Sequence, residues 1–145
     1  MKALIQRVSS SHVEVSGKVV GKINKGLLVF LGLEKQDSEV DADKMINKVL
    51  SYRVFPDENQ KMNLSLKDIK GDILVVSQFT LAADTKSGTR AGFSTAMPPN
   101  DAKNLYNYFV EKTRAFNLKT ECGIFGADMS VSLINDGPVT FLLEV

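Results

Sequence analysis

The sequence predicts an α+β fold in which a curved, mostly antiparallel, barrel-like β-sheet is flanked by two main helices. Short apolar or alternating runs, bounded by Gly, Ser, Asn and Asp, recur along most of the chain and are typical of strands. Only two segments carry apolar residues at helical spacing. A length of 145 residues fits a single domain over 1–145, large enough to bury a substantial core.

The first half of the chain predicts three strands and one helix. Residues 2–15 form an alternating strand interrupted by the polar patch Ser9-Ser10-Ser11, and Ser16-Gly17 is a turn signal. Two more apolar runs follow at 19–23 and 27–33. Asp37-Ser38 with Asp41 predicts a helix start, and the helix has an apolar stripe for the core made by Met45, Ile46, Val49 and Leu50.

The second half begins with a polar connection over 56–70, which contains the short pairing segment 62–64. Residues 73–76 form a wholly apolar run, typical of a buried strand, and a polar loop follows at 82–94. A second helix follows Pro98-Pro99 with Asn100 as its cap. Its inward side is expected to carry Leu105, Tyr108, Phe109, Thr113 and Phe116. Strands are expected at 120–123, 129–134 and 139–145.

Composition excludes several classes of protein. No apolar run approaches the ~20 residues that cross a bilayer, and the N-terminus lacks the apolar stretch of a signal peptide. A single cysteine, Cys122, excludes an internal disulfide and suits a reducing compartment, so we expect a cytosolic protein. A net charge of +1 does not indicate a nucleic-acid-binding protein, although the electrostatic potential of one surface can be positive when the net charge is small.

Conventional hydrolytic machinery is hard to assemble from these residues. His12 is the only histidine and lies in a predicted strand, and Cys122 has no histidine near it in sequence, so a structural role is favoured for both. One His and one Cys do not supply the usual ligands of a zinc site, and we expect no metal and no cofactor. Thr80 could be a nucleophile, but no adjacent general base is evident.

Two segments have the residue types of a binding site. Ser77-Gln78-Phe79-Thr80-Leu81 follows the buried strand, and hydroxyls and backbone N–H groups at such a strand end can bind an oxyanion. They can equally bond local backbone groups. Gly137-Pro138, within Asn135–Thr140, is either an ordinary turn between two strands or a cis peptide bond, which occurs in roughly 5–6% of X–Pro bonds in folded proteins.

Together these two segments closely resemble the signature segments of the bacterial and eukaryotic D-aminoacyl-tRNA deacylases. The resemblance covers essentially the whole chain and includes the stretches 1–8, 26–32, 52–55 and 61–64. One departure lies in the polar loop, where the family often has Arg-Pro-Ser-Phe and this chain has Arg90-Ala91-Gly92-Phe93. The loop is therefore expected to be less rigid than in the family.

The resemblance implies an enzyme that hydrolyses the ester between a D-amino acid and the 3′ end of tRNA. It implies that Ser77, Gln78, Phe79 and Thr80 form the catalytic corner, with backbone N–H groups stabilising the oxyanion. The neighbouring 2′-hydroxyl of the terminal ribose would position or activate the water, so that the protein needs no base. Gln78 is alternatively a contact for the terminal nucleotide.

The resemblance also implies how handedness is read. Backbone carbonyls of a cis Gly137-Pro138 pair, projecting into the pocket of the partner subunit of a homodimer, would bind the α-ammonium and exclude an L side chain. Arg7 would hold this pair, and Phe125 and Met129 would line the pocket. Glycine has no side chain to exclude, so glycyl-tRNA is expected to be a substrate too.

Candidate contacts to tRNA phosphates are Lys35, Lys86, Arg90 and Lys103, each of which is equally explained as a solvating surface charge. Two other functions stay open from the residues alone. The chain could be a non-catalytic RNA-binding or interaction domain, or a hydrolase of other small esters or peptides that uses Thr80 or Ser77 directly.

Overall fold

The structure is a computed structural model that describes residues 1–145. Its sheet is organised around the first strand, β1 (Lys2–Val15). β2 (Lys18–Ile23) and β3 (Gly26–Gly32) pair antiparallel with successive halves of one edge of β1. β8 (Ser130–Glu144) pairs antiparallel along the opposite edge. The predicted strand over 2–15 is confirmed, and its serine patch lies within the paired region.

The first predicted helix is confirmed as α1 (Glu39–Ser51). Asp41 Oδ2 accepts hydrogen bonds from the backbone N–H of Ser38 at 3.0 Å and from its hydroxyl at 2.7 Å, which fixes the start of the helix. The expected apolar stripe is fully buried. A two-stranded sheet of β4 (Phe55–Pro56) and β5 (Met62–Leu64) follows, and then the single turn α2 (Leu66–Ile69).

Parallel pairing enters the sheet at β6 (Asp72–Ser77), which lies between β3 and β7 (Thr120–Cys122). The remaining pairs are antiparallel, so the predicted α+β class with a curved, barrel-like, mostly antiparallel sheet is confirmed. The barrel nearly closes where β2 passes β7. A side-chain Cβ at Gly21 would lie 2.8 Å from the Cys122 carbonyl oxygen, so this close approach requires glycine.

Both faces of the central strands are buried, as their continuous apolar runs predict. Alternate residues of β3 and β6 point to a large core beneath α1 and α3 (Pro99–Arg114) or to a smaller core inside the barrel. Leu27, Val29 and Val75 belong to the large core, whereas Leu28 and Leu74 belong to the small one. This sandwiching holds the carboxyl end of β6 rigidly in place.

The second helix differs from the prediction at both ends. Its N-cap is Pro98 and Pro99 is its first residue, so the prediction that Asn100 caps it was wrong. Phe116 lies beyond its end and is 41% exposed under the Lys67 ammonium group, so its predicted inward position was also wrong. Tyr106, which was not among the residues expected inward, is buried with Phe109, and its hydroxyl donates to the Val75 carbonyl at 2.8 Å.

The C-terminal segment is one strand rather than two strands joined by a turn, so the ordinary turn, one of the two alternatives open for Gly137-Pro138, is wrong. β1 advances two residues from Gln6 to Val8 while β8 advances five from Asn135 to Thr140, which leaves three extra residues in β8 as a bulge. The Gly137–Pro138 peptide bond lies in this bulge and is cis. None of the helices has both the length and the apolar character that a membrane-spanning helix requires.

Candidate active site

The first half of the site is the corner where β6 ends. The Gln78 backbone N–H continues the sheet by donating to the Leu31 carbonyl at 2.8 Å. The chain then turns into a short 3₁₀ helix, Phe79–Ala82. Close packing of this helix on β3 requires Gly32, because a Cβ there would lie 2.7 Å from the Leu81 Cβ atom. The corner is therefore fixed by the strand behind it.

Backbone donors at this corner have no acceptor in the protein. The N–H groups of Phe79 and Thr80 open the 3₁₀ helix, where no earlier carbonyl of the helix can accept from them. Neither group donates any of the backbone hydrogen bonds outside the regular elements. The Gln78 side-chain amide donates to the Thr80 hydroxyl at 2.6 Å, which orders the side chains beside these donors.

A pocket of about 460 Å³ opens beside the corner. Ser77, Gln78 and Phe79 line one side of it, and Phe125 and Met129 line another. The structure therefore brings five of the predicted site residues together. Thr80 is exposed and does not line the pocket. Its side chain is connected to the pocket lining by its hydrogen bond with Gln78.

The pocket has walls that the sequence did not reveal. Ala96, Met97, Pro99 and Ala102 come from the loop before α3 and from the first turn of that helix. The Pro98-Pro99 pair marked this stretch as a helix start, but no polar motif pointed to a binding wall. These small or apolar residues make most of the lining apolar, which suits a flat aromatic or heterocyclic group.

No residue that lines the pocket has a titratable side chain. The pocket therefore contains no side chain that could act as a general acid or a general base. What the corner offers is a set of fixed backbone and amide donors. Such donors stabilise negative charge that develops on a bound oxygen.

The second group of predicted site residues lies at the bulge of β8, and Arg7 holds this bulge. The Arg7 guanidinium donates from Nε to the Asp136 carbonyl at 2.9 Å and from Nη1 to the Val54 carbonyl at 2.6 Å. Its side chain is only 12% exposed, so Arg7 is a buried clamp and not a surface charge. The Asn135 side chain accepts from the Val139 N–H at 3.0 Å on the other side of the bulge.

The bulge and the pocket lie apart within one chain. Gly137 and Pro138 are exposed, and neither lines the pocket. The pocket residue nearest to them along β8 is Val131, six residues before Gly137, which corresponds to about 20 Å of extended strand. The structure thus does not bring Gly137, Pro138 and Arg7 to the corner of the same chain.

The remaining candidate residues lie elsewhere. His12 is half-buried on β1 and Cys122 is half-buried on β7, where Arg114 Nη2 lies 3.8 Å from its sulfur, and neither lines the pocket. No group of three or more His, Cys, Asp or Glu side chains is arranged to hold a metal ion. The four predicted phosphate contacts, Lys35, Lys86, Arg90 and Lys103, are all exposed and form no ion pair.

Comparisons of the sequence and fold with known proteins identify a class of deacylases. Residues 4–144 match the family model described as D-Tyr-tRNA(Tyr) deacylase. The chain therefore belongs to the D-Tyr-tRNA(Tyr) deacylase family, and it is a deacylase.

Individual relatives agree with this assignment. The chain is 60% identical over its full length to the whole D-aminoacyl-tRNA deacylase of Pseudoalteromonas translucida. It is 57% identical to that of Thermosipho melanesiensis, over 99% of this chain and 97% of the relative. A solved structure named c-Myc DNA Unwinding Element Binding Protein has 40% identity and a TM-score of 0.95, covering 100% of this chain and 99% of that one. A probable eukaryotic D-amino acid tRNA deacylase, at 17% identity and a TM-score of 0.86, has the same fold over 99% of this chain and 98% of its own.

Proposed function

We propose that this protein hydrolyses the ester bond of D-aminoacyl-tRNA, releasing the free D-amino acid and tRNA. The observation that carries the proposal is the corner at Phe79 and Thr80, where unpaired backbone N–H groups stand beside a pocket without titratable side chains. An aminoacyl ester is already activated, so positioning and oxyanion stabilisation are sufficient for a large acceleration.

The reaction proceeds by attack of water on the ester carbonyl. The terminal adenosine occupies the apolar pocket between Phe125 and Met129, which places the carbonyl at the corner. The N–H groups of Phe79 and Thr80 donate to the developing oxyanion, and loss of one such donor costs about 3–4 kcal/mol in comparable enzymes. The 2′-hydroxyl of the ribose orients the water, and the 3′-oxygen, as it leaves, takes up the proton that the water loses.

Handedness is read by main-chain oxygens of the bulge around Gly137 and Pro138. These oxygens accept from the α-ammonium of the substrate, and an L side chain would collide with the bulge while a D side chain points to solvent. Main-chain atoms suit an enzyme that accepts many D-amino acids, because they contact nothing that varies between substrates. Support comes from Arg7, which fixes the Asp136 carbonyl and hence the direction of the segment.

A homodimer is required for this arrangement, because the bulge lies too far from the pocket of its own chain. β8 pairs only with β1, so its outer edge is free to meet a second subunit. Ile134 and Leu142 on this strand are 62% and 52% exposed, and contact with a second subunit would remove them from water. In the dimer, the bulge of one subunit enters the pocket of its partner.

Two further features belong to the proposal. Glycyl-tRNA is a second substrate, since glycine has no side chain for the bulge to reject. The protein acts on the 3′ end of tRNA in the cytoplasm, in keeping with its one free thiol, Cys122.

Hydrolysis of D-tyrosyl-tRNA and L-tyrosyl-tRNA by the purified protein at catalytic concentration tests the proposed function. We expect rapid release of D-tyrosine, no release of L-tyrosine above the uncatalysed rate, and release of glycine from glycyl-tRNA. Equal rates for the two tyrosyl isomers would contradict the chiral role of the bulge. Binding of tRNA without hydrolysis of either isomer would favour a non-catalytic RNA-binding domain.

A substrate ending in 2′-deoxyadenosine tests the part played by the ribose. We expect its hydrolysis to be slower by at least about 100-fold, because an oriented intramolecular group contributes effects of that order or larger. An unchanged rate would exclude assistance by the 2′-hydroxyl. Inactivation by an acylating reagent would instead favour direct attack by Thr80 or Ser77.

A further inference from the structure

Two aromatic rings pack on each other outside the core, at the mouth of the pocket. Phe79 is 63% exposed and Phe93 is 45% exposed. Their ring centroids are 5.1 Å apart and their planes are inclined by 44°. Exposed aromatic side chains that are clustered in this way usually mark a binding surface.

The loop that carries Phe93 is built to hold this ring in place. Asp84 and Gly92 exchange two backbone hydrogen bonds, of 2.8 and 3.0 Å, which close the base of the loop. The Thr95 hydroxyl donates to the Ala82 carbonyl, and the Lys35 N–H donates to the Thr95 carbonyl at 3.0 Å. These contacts place Phe93 beside Phe79, which lowers the cost of ordering the pair on binding.

The loop that carries Phe93 also carries two cations. Lys86 and Arg90 are exposed on the same loop and form no ion pair, and Lys35 is exposed at its base. The nearby Asp84 carboxylate accepts from the Lys86 backbone N–H at 3.0 Å. Aromatic rings flanked by cations that are free to bind phosphate are typical of surfaces for single-stranded nucleic acid.

The pair is also continuous with the pocket. Phe79 lines the pocket as well as contacting Phe93, and Ala96 and Met97 continue from the same loop into the pocket wall. A nucleotide chain that leaves the pocket on the side of Phe79 would pass the aromatic pair.

From these observations we propose that Phe79 and Phe93 form a stacking platform for the unpaired base next to the terminal adenosine of tRNA. Lys86 and Arg90 bind the phosphates of the same single strand. This inference rests on the proposed function and adds how the RNA is held outside the pocket. It explains how a protein with a net charge of only +1 binds tRNA. Stacking supplies most of the affinity, and the two cations of the polar loop hold the phosphates of the strand in place.

Replacing the ring of Phe93 by an aliphatic side chain tests the platform. With D-tyrosyl-tRNA, we expect Phe93→Leu to raise KM about tenfold and leave kcat within about twofold, as stacking on one aromatic side chain contributes roughly that much affinity. With 3′-O-D-tyrosyl-adenosine, which lacks the neighbouring nucleotide, kcat/KM should be unchanged. Phe93→Tyr should restore the wild-type KM, and Phe116→Leu, at an exposed ring elsewhere, is the matched control.

The double variant Lys86→Gln/Arg90→Gln tests the phosphate contacts. We expect the slope of log KM for D-tyrosyl-tRNA against log salt to decrease by about 1.4, the value for two contacts to a single strand. Lys18→Gln/Lys22→Gln, which removes two exposed and unpaired charges on β2, should leave the slope unchanged.

Three results would overturn the platform. They are a wild-type KM for Phe93→Leu, an equal loss on the adenosine ester and on tRNA, and dissociation of Phe93→Leu into monomers, which would show that the partner subunit covers the pair. Binding of uncharged tRNA to the same variants gives the same comparison without hydrolysis. A wild-type protein that fails to hydrolyse D-tyrosyl-tRNA would refute the proposed function alone, since this binding comparison still tests the platform.

Discussion

Arg7 shows how a single side chain gives a short exposed segment a defined shape. Bulge residues of a strand have few ladder hydrogen bonds, so the segment needs other partners. The Arg7 guanidinium connects the Asp136 carbonyl to the Val54 carbonyl, and Asn135 bonds the far side of the bulge. Its role could be anticipated only from the family resemblance, because a lone arginine in an alternating strand also reads as a surface charge.

Gly137 has no room for a side chain. Its φ is +142°, and an added Cβ would lie 2.6 Å from Val139 Cγ2 and 3.1 Å from Arg7 Nη2. We expect Gly137→Ala to displace the bulge and lower kcat/KM for D-tyrosyl-tRNA on the order of 100-fold. Gly17→Ala, at φ +75° with open space around it, should destabilise the fold without altering the activity of the folded protein. Full activity of Gly137→Ala would remove the bulge from the site.

Thr80 is expected to tolerate loss of its hydroxyl. The hydroxyl accepts from the Gln78 amide and has no base beside it, so it orders the corner and does not attack the ester. Loss of one such hydrogen bond costs about 1 kcal/mol, so kcat/KM of Thr80→Ala should fall only about fivefold. Complete inactivity, with an unchanged thermal midpoint and unchanged tRNA binding, would contradict this and favour a nucleophilic threonine.

At the scale of elements, α1 and β8 show what sequence patterns reveal and what they do not. The Ser38–Asp41 signal and the apolar stripe of α1 are local, so both its start and its buried face were predicted correctly. Gly137-Pro138 is a local turn signal too, yet tertiary pairing with β1 carries the strand past it. The pocket walls at Ala96 and Ala102 had no polar signal, because apolar contact depends on packing and not on local sequence.

The polar loop at 82–94 contains two glycines whose substitutions form a matched pair. Gly92 has an ordinary backbone conformation, and an added Cβ would meet only Asp84 atoms at 3.9 and 4.0 Å. Gly92→Ala should therefore stabilise the protein by about 0.4–1 kcal/mol through the unfolded state. Gly88→Ala should destabilise it by about 1–2 kcal/mol, because Gly88 has a φ of +69°. Chemical denaturation measures both, and a destabilised Gly92→Ala would show that the loop needs glycine there.

Acid stability should depend on capping and turn carboxylates such as Asp57. Backbone donation from Lys61, followed by the Asn63 amide, lowers the pKa of Asp57, and hydrogen bonds from Ser38 and Ser65 lower the pKa values of Asp41 and Asp68. A lowered folded pKa contributes stability above the unfolded value of about 3.9, and this stability is lost as pH falls through the folded pKa. The thermal midpoint should therefore drop below about pH 4.

Asp57→Asn isolates one of these contributions. The variant should be less stable than wild type at pH 7, and the difference should shrink as pH falls below about 4, because the Asp57 carboxylate is protonated first in the unfolded chain and only at lower pH in the folded protein. Thermal unfolding of both proteins between pH 7 and pH 3 measures this. A difference that stays constant over that range would show that the charge of Asp57 does not stabilise the turn.

At the scale of the whole molecule, the proposed site consists of two parts that one chain does not bring together. The rigid corner and pocket lie between the sheet and α3, and the clamped bulge lies on the far part of β8. A twofold dimer about the exposed edge of β8 would unite them twice, once in each pocket. In this proposed dimer, main-chain atoms of the bulge would check chirality, and their positions would not depend on the substrate side chain.

Subunit mixing tests this composite site most directly. Ala96→Trp blocks the pocket and Gly137→Ala disables the bulge, so each variant alone should be inactive on D-tyrosyl-tRNA. Refolding the two together in equal amounts should restore about a quarter of wild-type activity, because half of the dimers are mixed and each mixed dimer has one intact site. If the mixture stays as inactive as its components, pocket and bulge act within one chain and the account is wrong.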